Sequence, residues 1–141
     1  MPVAVNWMLD KRVMYFRSYG KVSLAEVDTV VAAQMQLYEE GIAPVHAIID
    51  IRPTTLNIQG LQQLREHGNA PLHPSTGWIV MLQTNNKLAT FAVSLIIQLN
   101  GAPHFRTVHT LDEAVAFLNH NDQTLKLDPA DAAAYVNSLP G

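Results

Sequence analysis

Three short apolar runs, VHAIIDI (45–51), WIVMLQ (78–83) and FRTVH (105–109), alternate with segments of helical spacing. That alternation constrains the chain more than any other feature. An apolar run of five to seven residues between helix signals predicts a strand buried on both faces, as in a parallel sheet. The first run is bracketed by Pro44 and Pro53. Before it, Val3, Val5, Trp7 and Leu9 recur with a period of two, Asp10-Lys11 makes a turn, and a second β-rich run spans 12–19. Helix signals fill the intervals. Ser23 and Glu26 form a capping box ahead of Leu24, Val27, Val31, Met35 and Tyr38, with Gly41 as the stop. Further helices are expected over 57–67, with Asn57 as cap, over 87–99, and from Thr110 to about Asn119. Asp128-Pro129 reads as N-cap and N1 of a last helix, 129–138. The expected architecture is α/β: a single, mostly parallel sheet of four to five strands, with the three runs as its central strands. Four helices cover it, and an extra helix follows at the C-terminus.

Composition narrows the function classes. A chain of 141 residues with 48% hydrophobic residues builds a real core. Its net charge of −3 argues against nucleic-acid binding, which calls for a basic stripe. The absence of cysteine removes disulfides, thiolate nucleophiles and Cys-ligated zinc. The opening MPVAVNWMLDKR has no basic-then-apolar leader pattern, and no apolar run reaches transmembrane length, so a cytoplasmic domain is expected.

In open α/β sheets ligands bind beyond the carboxyl ends of the strands. Asp50, Arg52, Thr54 and Thr55 follow the first run, Gln83, Thr84, Asn85 and Asn86 the second, and His109 and Thr110 the third. Asn86 and Thr110 also serve as helix caps. Asp50 ends an apolar strand with Arg52 two residues on, so both side chains are expected on one side. Its carboxylate either meets a ligand donor or holds the next loop's backbone, and the structural role is the commoner one for Asp at a turn. Six histidines (46, 67, 73, 104, 109 and 120) form no HExxH and no i, i+4 pair, so no metal site is expected. Of these, His109 alone suits acid–base work at a strand end. GxSxG, GxxxxGK[ST] and GxGxxG are absent. The segment KLATFAVSLIIQL (87–99) is apolar nearly all round. A helix of that kind is buried on more than one side, which points to a homodimer, with 87–99 or 129–138 in the interface, to an apolar ligand, or to a helix embedded under the C-terminal helix of its own chain.

The order of elements resembles the STAS domain of anti-sigma-factor antagonists and sulfate transporters, and more closely the SpoIIAA-like (STAS-like) family of small stand-alone bacterial proteins. The resemblance rests on Gly20-Lys21-Val22-Ser23 leading into the first helix, on IIDIR (48–52) followed by NIQGLQQL (57–64), and on HTLDEAVAFL (109–118). It covers roughly residues 3–119, which sets a STAS-like domain at 1–120 and a C-terminal extension with a short helix at 121–141. In the phospho-regulated antagonists the helix after the strand begins Asp-Ser-Ser-Gly. Here Asn57, Ile58, Gln59 and Gly60 stand at the comparable positions, without the serines. The resemblance therefore implies a non-enzymatic binding or regulatory domain, without the phosphoserine switch and without a cofactor. Its partner would be a protein or a small ligand met at Asp50, Arg52, Thr54, Thr55, Asn57, Gln83, Asn85 and His109. The alternative is a small enzyme using Asp50, Arg52 and His109.

Overall fold

The computed structural model describes residues 3–18, 24–52, 73–83 and 104–139, together with Lys87, Thr90 and Ser94. Five strands form one sheet: β1 (Val3–Leu9), β2 (Val13–Ser18), β3 (Val45–Asp50), β4 (Thr76–Leu82) and β5 (Phe105–Val108), in the spatial order β1-β2-β3-β4-β5. β1 and β2 are an antiparallel hairpin. Its turn closes with the Arg12 N–H donating to Leu9 O at 3.0 Å, and Lys11 takes the left-handed conformation (φ 61°). β2, β3, β4 and β5 run parallel, with Tyr15 opposite Ile48, Ile48 opposite Val80, and Leu82 opposite Val108. The three apolar runs are thus mutually parallel, as their patterns predict.

Their placement differs in one respect. Among the described strands β5 stands at the edge of the sheet and not at its centre. Its second residue, Arg106, is exposed and lies over the Phe117 ring at 5.3 Å, a surface arrangement, whereas β3 and β4 are buried along nearly their whole length.

The described helices are α1 (Leu24–Glu40), α2 (Leu111–Asn121) and α3 (Pro129–Asn137). Lys87, Thr90 and Ser94 are helical, while the helix expected over 57–67 lies outside the described residues. The caps read from sequence operate: Thr110 Oγ1 accepts from the Glu113 N–H at 3.1 Å, and Asp128 Oδ1 from the Ala130 N–H at 2.7 Å.

Strand alternation divides the core in two. On one face Met14, Val45 and Ala47 pack with Tyr38 of α1. On the other, Val13, Tyr15, Ile48, Val80, Leu82 and Val108 meet Ala114, Val115 and Leu118 of α2, then Leu125 and Leu127, then Ala132 of α3. Burying a leucine such as Leu125 or Leu127 is worth about 1.5–3 kcal/mol. The link from α2 is fixed further by Asn119, whose amide accepts from the Leu127 N–H at 3.0 Å and donates to Leu127 O at 2.8 Å.

α3 therefore lies on its own chain. Tyr135, Val136 and Leu139 pack against the same core, and the helix contacts α2 and β1. Leu125 and Leu127, the two apolar positions in the otherwise polar segment 120–128, draw the chain back onto the sheet, and Tyr135, Val136 and Leu139 are left partly buried there.

Candidate functional site

The parallel register of β2 and β3 sets Arg17 opposite Asp50. Because side chains two apart share a face of a strand, Tyr15 and Arg17 stand on the face shared with Ile48 and Asp50. Asp50 is 0% exposed. Its Oδ2 accepts from Tyr15 Oη at 2.5 Å, from Arg17 Nε and Nη2 at 3.2 and 3.1 Å, and from Arg52 Nη2 at 2.9 Å. Its Oδ1 accepts from the Arg52 backbone N–H at 3.0 Å and from Arg52 Nε at 2.9 Å. Arg17 Nε also donates to Tyr15 Oη at 3.1 Å, and the Tyr15 ring meets Tyr135 of α3 edge-on at 5.8 Å.

A buried, unpaired carboxylate would cost several kcal/mol; two guanidiniums and a phenol offset that here. Burial alone pushes the Asp50 carboxyl up, but the hydrogen bonds from Arg52 and Tyr15 outweigh it and hold it below the usual carboxylate value. Burial, reinforced by the Asp50 charge, drives the Tyr15 phenol well above its ordinary value, so it stays protonated and donates. Arg52, bonded to Asp50, is raised and stays cationic. The arrangement fixes charge in place. It does not present a group ready to exchange a proton near neutrality.

Of the residues expected at this edge, Asp50 and Arg52 are joined directly. Gln83 follows β4, its N–H donating to Val108 O at 2.9 Å, and the Asp50–Leu82 register puts it level with Ile51. His109 is exposed beyond β5, with its backbone N–H on Glu113 Oε2 at 3.2 Å. β4 stands between β3 and β5, so the backbones at Asp50 and His109 are roughly 10 Å apart at the usual interstrand spacing. Thr54, Thr55, Asn57 and Asn85 lie outside the described residues. Tyr15 and Arg17 were not among the expected residues. Their signal was present in the alternation of β2, and it needed the β2–β3 pairing to be read.

A second polar cluster sits at the opposite, amino end of β3. His46 is 2% exposed, and its Nδ1 accepts from the Trp78 N–H at 2.9 Å. That leaves Nε2 as the protonated nitrogen, donating to Asp122 Oδ2 at 2.8 Å. Arg12 Nη2 donates to the same oxygen at 2.7 Å. Burial lowers the His46 pKa despite Asp122, and Asp122, whose burial is outweighed by bonds from His46 and Thr124, is held at about 2. Gly77 is required beside it, because a β-carbon there would stand 2.6 Å from His46 Nδ1. Both ring nitrogens of His46 are thus engaged, Nδ1 with β4 and Nε2 with the C-terminal segment. Among the described residues no group of His, Asp and Glu is arranged to hold a metal, and no helix is long and apolar enough to cross a membrane.

No family model and no curated protein matches the chain. A solved structure does: an uncharacterized protein of the DUF3478 family from Shewanella loihica PV-4, described as having a SpoIIAA-like fold. The match has a TM-score of 0.54 at 14% identity and covers 82% of this chain and 91% of that one. The chain has a SpoIIAA-like fold, as the resemblance in its sequence implies.

Proposed function

We propose that this SpoIIAA-like chain is a non-enzymatic binding or regulatory domain that uses the carboxyl edge of its sheet, around Asp50 and Arg52, as its recognition surface. The observation that carries the reading is the saturation of Asp50: both carboxylate oxygens are occupied by donors from Tyr15, Arg17 and Arg52. A general base needs a free lone pair facing substrate, and this carboxylate has spent its acceptors on neighbours.

Thr54, Thr55, Asn57, Gln83 and Asn85 complete the proposed surface in sequence. Ile58 and Gln59 carry no hydroxyl, so the domain works without a phosphoserine switch at the start of that segment. A cytoplasmic homodimer belongs to the reading, supported by the all-round apolar pattern of 87–99.

The test is a compound library screened by amide chemical shifts, with each binding compound recovered and checked for chemical change over hours. Binding at Arg17, Asp50, Arg52 and Gln83 with the compound returned intact is the expected result. Turnover that stops in Asp50→Asn would establish the enzymatic reading instead.

A further inference from the structure

Asp50 grips only one side of the Arg52 guanidinium. Nε and Nη2 bond its two oxygens at 2.9 Å each, and the backbone N–H of Arg52 anchors the same carboxylate at 3.0 Å. Tyr15 adds a further side-chain hydrogen bond to this guanidinium, yet its Nη1 end is without a hydrogen-bond partner among the described residues, and the side chain is 38% exposed. A surface arginine is ordinarily mobile. This one is locked by a carboxylate that is 0% exposed and is itself pinned by Tyr15 and Arg17.

A buried ion pair is weak evidence for stability, because its desolvation cost cancels much of the attraction. Its effect here is orientation. It holds a planar cation, with its Nη1 edge unbonded among the described residues, at the carboxyl end of a parallel strand, where α/β sheets receive ligands. That edge matches the paired oxygens of a carboxylate or phosphate.

We infer that Arg52 is an oxyanion-binding residue, its outer edge taking two oxygens of a carboxylate or phosphate group on the ligand, with Asp50, Tyr15 and Arg17 as positioning residues. The inference deepens the binding reading above and rests on it.

The probes are inorganic phosphate and acetate, titrated into the full chain and followed by the side-chain Nε–H signals of arginine and the amide of Arg52, against sodium chloride at equal ionic strength. Saturable shifts at Arg52 with phosphate, with acetate or with both, absent with chloride, are expected. The stronger of the two identifies the ligand's head group. Arg52→Gln should weaken binding by about tenfold or more, the range for a charge-assisted paired contact. Arg52→Lys keeps a cation beside Asp50, and with it the local charge balance, yet should also lose most of the affinity, since an ammonium lacks the planar edge. Chloride-like behaviour of both anions, or unchanged binding in both folded variants, overturns the inference. If that happens while Asp50 remains ionised down to acid pH, the binding reading stands without this subsite. If Asp50 titrates near neutrality, both fail.

Discussion

His46 Nε2 stands 2.8 Å from Asp122 Oδ2, tying the first residues of β3 to the segment that follows α2. The bond requires the neutral tautomer with its proton on Nε2, because Nδ1 is already an acceptor for Trp78. A second proton would set Nδ1–H against the Trp78 N–H. With the folded-state pKa below the ordinary 6.5, the unfolded chain binds the proton first as pH falls. This contribution is therefore complete above about pH 6.5 and declines below it, by at most about 1.4 kcal/mol per pH unit for one proton. Asp122 adds a loss in the same direction between its ordinary 3.8 and about 2. Urea denaturation from pH 8 to 5 should show stability falling below 6.5. In His46→Asn the stability should be lower at pH 8 and flatter with pH; an unchanged slope would remove His46 as the cause.

Gly77→Ala tests how tightly that imidazole is held. The new methyl would meet Nδ1 at 2.6 Å and Cε1 at 2.8 Å, and a ring bonded at both nitrogens has no room to turn. A loss of about 1–3 kcal/mol is expected, the usual cost of overpacking. Thermal denaturation measures it, and a melting temperature equal to the parent's would mean that the ring moves freely.

Asn119→Ala removes two hydrogen bonds to the Leu127 backbone. Leaving the Leu127 N–H and C=O without partners should cost about 1–3 kcal/mol. Hydrogen exchange should accelerate first at Leu127 and in α3, ahead of the β3 and β4 amides. Uniform acceleration across the sheet would show that the C-terminal segment and the sheet open as one unit.

These contacts mark where the sequence was legible. Asp50 and Arg52 were readable as a pair because they are two apart on one chain. The helix ends were readable because Thr110 and Asp128 cap through local bonds. Tyr15 and Arg17 were not, since nothing local says that β2 lies beside β3 in parallel register. The edge position of β5 escaped for the same reason, as strand order is a long-range property. The segment 120–128 reads as polar because only Leu125 and Leu127 in it are apolar, yet both are buried, and with Asp122 they join α3 to the core.

The proposed homodimer should depend on segment 87–99 more than on α3, whose Tyr135, Val136 and Leu139 are partly buried against their own chain. Sedimentation at micromolar concentration should give twice the 15.6 kDa chain mass. Ile96→Glu should halve it, while Ala134→Glu, on the exposed side of α3, should leave it unchanged. A single-chain mass for the parent protein rules the dimer out.

Asp50, held in its charged form by the bonds from Arg52 and Tyr15, acts as the anchor for Arg52 and not as a proton carrier. Its side-chain carboxyl carbon, followed by carbon-13 NMR from pH 8 to 2, measures this directly. A flat signal through neutrality is expected, with a transition only below the ordinary 3.8, because burial is outweighed by the bonds from Arg52 and Tyr15. A transition between pH 5 and 8 would contradict it and make Asp50 an acid–base group.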